Sequence, residues 1–520
     1  MPRKPKAKNT LSAGERVALY EAELAKKNSE QGIVASPMQE RSDATAPANT
    51  VTLDVKKNAS MPKNDGRAPK KSKQKPRSTT VRVDFSVPVG TVKPMHGMCN
   101  GPLSYGADIS RLFGEIGAPF VRFDSSDTAA GTYSVDVSRV FRDLRKDPAD
   151  PESYDFTYAD RCVEAALGSG ARVILGLGKG RDLFGVLGED NELSADVDLL
   201  ARVCVNVIRH YNDGWARGAH YGIEYFELPS SSGDVSLDAE RYGRLANLVK
   251  IYDENIKIGG ICFTEASEAR EFLKICKRKR YPIDFITLEC FSGDVERVCD
   301  ELEGLVSSAK NLGFAELEII IGKWMFADKR VIGDTPLRSA LSVSGKAASV
   351  RSELVAAQRS VVGAAYASAL MLRLNSIDGV ATACFFDAQP AVSPFCSLTD
   401  DLGAPQKPFY AFKAFGELYK AKNAVLSSVD RPEGFAHSGI YVSAALSDGG
   451  EGVVCLASFE GCGVVDLRLD GISEDMFSAE VYMLDGVKNL VSGGTVPLSG
   501  AKKRMVFNLS EYGVILIKLY

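Results

Sequence analysis

The strongest constraint on this chain is an alternation. Eight apolar, strand-length runs recur, separated by segments of helical length. The runs are "PMHGMCN" (94–100), "PFVRFD" (119–124), "ARVILGLG" (171–178), "GIEYFEL" (222–228), "IKIGGICF" (256–263), "IDFITLEC" (283–290), "LEIIIGKW" (317–324) and "DGVATACFFD" (378–387). They are continuously apolar, as strands buried on both faces must be. Between them lie amphipathic patterns such as "SADVDLLARVCVNVIRHYN", "AERYGRLANLVKIYD" and the long "RSELVAAQRSVVGAAYASALMLRL". Strand–helix alternation repeated this often predicts an α/β fold, a parallel (β/α)8 TIM barrel.

The texture differs on both sides of this region. After "KPFYAFKAFGELYKAKN", residues 424–520 carry short strands punctuated by Gly and Asp: "GIYVSAAL", "GVVCLASF", "VVDLRL", "SAEVYML", "RMVFNL" and "GVILIKLY". That pattern predicts an accessory C-terminal β-sandwich. Residues 1–80 hold 17 Lys or Arg against 8 Asp or Glu and almost no aromatic residues. Such a composition predicts a disordered basic N-terminal tail. Within it, Ser12 and Glu15 form a capping-box pattern ahead of a short helix near 12–28. The expected domains are the tail (1–80), the barrel (81–423) and the sandwich (424–520). The alternating "TVRVDFSV" at 81–88 has no barrel partner and is assigned to pairing with the sandwich.

Charge narrows the partners. With 17 of the 63 basic residues in the tail, the remainder holds 46 basic against 59 acidic residues. An acidic globular part gives nucleic acid no electrostatic footing, beyond weak contact through the basic tail. The eleven cysteines include no CxxC pair and sit mostly in apolar runs, a pattern of reduced, buried thiols. No run approaches the ~18 apolar residues of a membrane span. The start, "MPRKPKAKNT", has no apolar segment behind its charges. These features give a cytoplasmic or other intracellular setting as the expectation. The four histidines share no ligand spacing, and neither a metal nor a cofactor is expected.

In a barrel of this kind, reactive groups stand at the C-terminal ends of the strands. Here those ends carry Asn100, Asp124, Lys179, Ser230 and Ser231, Thr264, Glu289, Lys323 and Asp387. The ring is polar and suits a hydroxyl-rich ligand.

The segments that line this ring resemble glycoside hydrolase family 39, the β-xylosidase and α-iduronidase group. They are "GPLSYGADISRLFGEIGAPFVRF", "YDFTYADRCVEAALGSGARVILGLG", "YFELPSSSG", "ERYGRLANLVKIYDENIKIGG", "YPIDFITLECFS", "IIIGKW" and "FFDAQPAVSPFCSLTDDLGAPQKPFYAFKAFGELY", in order. The resemblance implies a retaining glycosidase with two glutamates. One ends strand four in a pattern like F-E-V-W-N-E-P, and here that stretch reads F-E-L-P-S-S-S. Ser231 therefore stands at the acid/base position and Ser230 at the Asn position. The other ends strand seven in a pattern like I-T-E-W, and here I-G-K-W puts Lys323 at the nucleophile position. Glu289 and Asp124 stand where histidines are usual, and Gly176 replaces an arginine. The chain is identified as a divergent member lacking both catalytic glutamates.

A retaining mechanism needs a carboxylic acid to protonate the leaving oxygen and a carboxylate to attack the anomeric carbon. A serine supplies no such proton near neutral pH, and a lysine opposes an oxocarbenium-like transition state. The expected function is a catalytically impaired relative, a pseudo-glycosidase that binds carbohydrate or acts as a scaffold for a protein partner through the tail or the sandwich. The alternative is an active glycoside hydrolase using relocated carboxylates, with Glu289 and Asp124 as the fallback candidates. Asn100, Asp124, Ser230, Glu289, Trp324 and Asp387 are the expected sugar contacts. Trp324 either stacks on a sugar face or packs in the core. Glu227 is expected to form a buried ion pair, with Arg122 as its partner.

Overall fold

In a computed structural model of the chain, residues 78–520 are described, apart from 105–106, 124–134, 136, 179–195, 229–232, 334–346, 394, 431–436, 462, 474–475, 477 and 499–502. The expectations placed on residues 1–77 of the tail lie outside the described residues, as do those on Asp124, Lys179, Ser230 and Ser231, while residues 78–80, expected in the tail, instead open a strand.

The chain enters through strand β1 (Ser78–Thr91) and then builds the barrel. The barrel strands are β2 (Gly97–Cys99), β5 (Phe120–Phe123), β6 (Arg172–Gly176), β7 (Tyr225–Leu228), β8 (Lys257–Gly260), β9 (Phe285–Ser292), β10 (Glu318–Phe326) and β11 (Val380–Phe385). They close in chain order, with β11 beside β2, and every pairing is parallel. Each coincides with one of the eight apolar runs. A small ribbon, β3 (Leu103–Ser104) with β4 (Ala107–Asp108), follows β2.

The outer helices are α1 (Ser110–Ile116), α2 (Thr157–Gly168), α3 (Val197–Asp213), α4 (Val235–Tyr252), α5 (Ala266–Lys279), α6 (Val295–Asn311), α7 (Ala347–Arg359), α8 (Val361–Leu374) and α9 (Lys407–Ala421). Aspartates start three of them: Asp196, Asp234 and Asp294 accept backbone N–H bonds from the first turns of α3, α4 and α6. These satisfy donors that a helix start leaves unpaired.

The long pattern at 351–374 reads as one helix but folds as two. Ser360 is extended, and its hydroxyl accepts from Val362 N, capping α8. At the corner Gly363 lies so close to the chain that a Cβ would sit 2.1 Å from Gln358 O. α8 is buried along almost its whole length. It is apolar all round because it fills the seam between the barrel and the second domain.

That domain is one nine-stranded sheet folded on itself. Its order is β17 (Asn489–Pro497), β16 (Ser478–Leu484), β19 (Tyr512–Leu519), β14 (Gly452–Phe459), β13 (Ile440–Leu446), β12 (Asn423–Val429), β1, β15 (Gly463–Asp470) and β18 (Lys503–Leu509). Side chains from both halves share one core, including Val83, Leu456, Leu467, Val481 and Ile517. β1 runs antiparallel to β12, with Val81 opposite Val429, and parallel to β15, with Ser78 opposite Val464. The first described strand is thus built into the last domain.

Candidate active site

The barrel lumen is layered. At its base Lys257 donates to Tyr225 Oη at 2.8 Å and pairs with Glu318 at 2.6 Å. One level higher, Arg122 of β5 and Glu227 of β7 form a bidentate pair, Nε to Oε2 at 2.6 Å and Nη2 to Oε1 at 2.8 Å. Thr287 of β9 donates a third bond to Oε1, also at 2.6 Å. The two charged side chains are 1% and 0% exposed. This is the ion pair expected for Glu227. Three donors fill the carboxylate and no ligand can reach it, the arrangement of a structural ion pair.

Arg122 also reaches β10, donating to Gly322 O at 3.3 Å. Gly322 passes so close that a Cβ would lie 2.9 Å from Arg122 Nε. Here β10 carries a bulge. Ile321 is opposite Leu288 of β9, but Lys323, two residues on, is opposite Glu289, only one residue on. The extra residue reverses the side-chain alternation beyond it.

The bulge decides the upper level. Thr287 and Phe291 face the lumen, so Glu289 between them does too. Lys323, in register with Glu289, faces inward, as does Met325. Lys323 is 2% exposed, and its Nζ lies 5.7 Å from the centroid of the Phe386 ring. Glu289 is half-buried.

Trp324 is correspondingly turned outward. Its ring stacks on Phe412 of α9, with centroids 5.9 Å apart, and meets Phe385 edge-on at 5.0 Å. It is fully buried there. The expectation that Trp324 contacts sugar is therefore corrected: it belongs to the layer between barrel and helices.

Asn100 and Asp387 end β2 and β11, which are neighbours. Asn100 takes a left-handed conformation (φ 62°), and its N–H donates to Arg122 O at 2.8 Å. Asp387 is buried, with Gln389 N 3.5 Å from its Oδ1. Glu289, Lys323, Asp387 and Asn100 thus follow one another in an arc at the C-terminal ends of β9, β10, β11 and β2, with Glu289 partly exposed and the other three buried. The residues expected from the other arc, Asp124, Lys179, Ser230 and Ser231, lie outside the described set.

His96 sits at the entry to β2, wedged between the barrel and α9. Its Nε2 is 3.1 Å from Gly117 O, and the rings of Phe415 and Tyr419 flank it at 5.2 and 5.0 Å. Burial lowers its pKa to about 3.

Sequence reasoning missed one feature. A cleft of about 560 Å³ opens between barrel and sandwich, lined in part by Glu296, Asp328, Arg330, His437, Tyr441 and Phe459. Glu296 is 3.4 Å from Arg373 Nε and 3.8 Å from His437 Nδ1. Asp328 is held by Arg330 at 2.7 Å. Both carboxylates are tied to arginines, and the Arg330 guanidinium holds the Asp328 carboxyl below its ordinary range. Nothing local in the sequence marks the cleft, because its walls come from segments over 100 residues apart.

Comparison with known proteins agrees with this architecture. No protein-family model matches the sequence, and no curated protein sequence matches it. Solved structures do match. A glucosidase from Croceicoccus marinus superposes with a TM-score of 0.66 at 18% identity, covering 85% of this chain and 98% of that one. A GH39 enzyme from Xanthomonas axonopodis pv. citri gives 0.61 at 13% identity, over 87% and 99%. A monomeric β-xylosidase from Caulobacter crescentus CB15 gives 0.59 at 14%, over 85% and 99%. The chain has a glycoside hydrolase family 39-like fold, a TIM barrel with its β-sandwich. At these identities the likeness speaks for the fold alone.

Proposed function

We propose that this protein is a non-hydrolytic relative of the glycosidases, which keeps the barrel mouth as a saccharide-binding cup. The observation that carries this reading is Lys323. It is a buried lysine facing the lumen at the end of β10, where the family resemblance calls for an attacking carboxylate. An ammonium there repels the positive charge that develops at an anomeric carbon. Ser231 at the acid/base position adds a second deficit, since general acid catalysis alone contributes roughly 10²–10⁴-fold. Within the polar arc Glu289 is the partly exposed member that a hydroxyl group can reach, with Asn100, Lys323 and Asp387 buried behind it.

The test pairs binding with turnover on the full chain. Glycan arrays and calorimetry should find a saturable saccharide ligand, weakened by Lys323→Ala. A panel of aryl glycosides should give no release of the aryl group. Release that disappears on Glu289→Gln or Asp124→Asn would overturn the proposal in favour of an active hydrolase. One observation favours that second reading: Glu289 faces the same lumen level as Lys323 and is half-buried, the environment in which a carboxyl group can serve as an acid.

A further inference from the structure

The nine-stranded sheet has two outer strands, and they are protected differently. β18 opens with Lys503 and Arg504, charges of the kind that blunt an edge against pairing. β17 reads NLVSGGTVP and carries no charge along its nine residues. It is exposed almost throughout, with Val491 at 53% and Val496 at 41%. Among the described residues, β16 alone pairs with it.

The centre of β17 is close to its own mirror image: Val491, Ser492, Gly493, Gly494, Thr495, Val496. Consider an antiparallel copy laid along the free edge, with a twofold axis between the glycines. Val491 then faces Val496 of the second copy, Ser492 faces Thr495, and Gly493 faces Gly494. A β-branched apolar pair and a hydroxyl pair are both favourable cross-strand neighbours. Near a twofold axis any charge meets its own copy or a close neighbour of it, so self-pairing demands an uncharged strand. The strand also bends at this centre. Ser492 to Thr495 spans three residues against two on β16, from Tyr482 to Glu480, and Gly494 takes φ +107°. The bends of the two copies coincide on the axis, where no side chain stands between the backbones.

We propose that β17 is a dimerisation edge, joining two copies of this chain by antiparallel β17–β17 pairing into one sheet that spans both. Light scattering coupled to size exclusion tests it on the full chain. The wild type should have twice the 56.0 kDa chain mass. Val491→Lys with Val496→Lys should raise the dissociation constant by about a hundredfold or more, through facing like charges. Its circular dichroism and melting temperature should be unchanged, which separates loss of the interface from loss of the fold. Ser492→Cys with Thr495→Cys should give a disulfide-linked dimer on mild oxidation. A monomer up to ~100 μM, a concentration at which micromolar association is saturated, would overturn the proposal. So would a dimer that the lysine variant leaves intact and the cysteine variant fails to cross-link.

Discussion

The two upper levels of the barrel lumen meet on β9, which carries Thr287 in one and Glu289 in the other, and they differ in how they are filled. The Arg122–Glu227–Thr287 level is closed: a bidentate ion pair, a third donor and almost no exposure. The level above holds Glu289, which is partly exposed, beside Lys323, which is 2% exposed, at positions where the family resemblance calls for other residues. The lower level has the form of a structural ion pair, filled by its own donors and sealed from ligand. The upper level is the one to which the proposed function assigns ligand binding.

The comparison breaks first if the lower level proves dispensable. Arg122→Met leaves Glu227 as a buried, unpaired carboxylate, and removing one partner of such a pair costs about 3–5 kcal/mol. Urea denaturation should register that loss. Arg122→Met with Glu227→Met should lose much less, since two apolar side chains leave no stranded charge. A double variant as unstable as the single would refute the account.

Gly322 tests how tightly the levels are coupled. In Gly322→Ala the new methyl carbon sits 2.9 Å from Arg122 Nε. Overpacking of this kind costs about 1–3 kcal/mol. In a double-mutant cycle the cost should shrink when Arg122 is already Met. Full additivity would show that the glycine serves only the bulge.

The same bulge marks the limit of what the sequence made legible. All eight barrel strands were readable because each is a continuous apolar run, and the run fixes burial without needing register. Arg122 with Glu227 was readable because a charge inside such a run must be paired. Side-chain direction beyond Gly322 was not. A plain period of two sends Ile320, Gly322 and Trp324 to one face. One extra residue turns Trp324 out to Phe412 and Lys323 in to the lumen. β17 also escaped notice, since NLVSGGTVP has too little alternation and a glycine pair at its centre. The split at Ser360 was hidden because both helices are apolar on nearly every face.

Acid distinguishes the lumen from the shell behind it. His96 has a folded pKa of about 3 against an ordinary 6.5, because burial penalises the charged ring, with Lys420 adding to the effect and the Gly117 carbonyl opposing it. Between those values the unfolded chain binds the extra proton. Stability therefore rises with pH across that window and is lost as pH falls below 6.5, by about 1.4 kcal/mol per unit. Urea midpoints of the wild type and His96→Gln from pH 7 to 5 should differ by that slope. Parallel curves would place the acid sensitivity elsewhere.

The smallest expected effect is the sharpest test of the contrast between levels. Glu289→Gln keeps the shape of the side chain and removes its charge at a half-buried position. If the upper level serves ligand rather than fold, urea denaturation should change by about 1 kcal/mol or less, the range of substitutions away from the core. Saccharide affinity measured by calorimetry should fall with it, because a carboxylate accepts hydroxyl bonds more strongly than an amide does. A destabilisation equal to that of Arg122→Met would mean that Glu289 is as structural as Glu227. The lumen would then be one closed core up to its mouth, with no separate level left to bind a sugar.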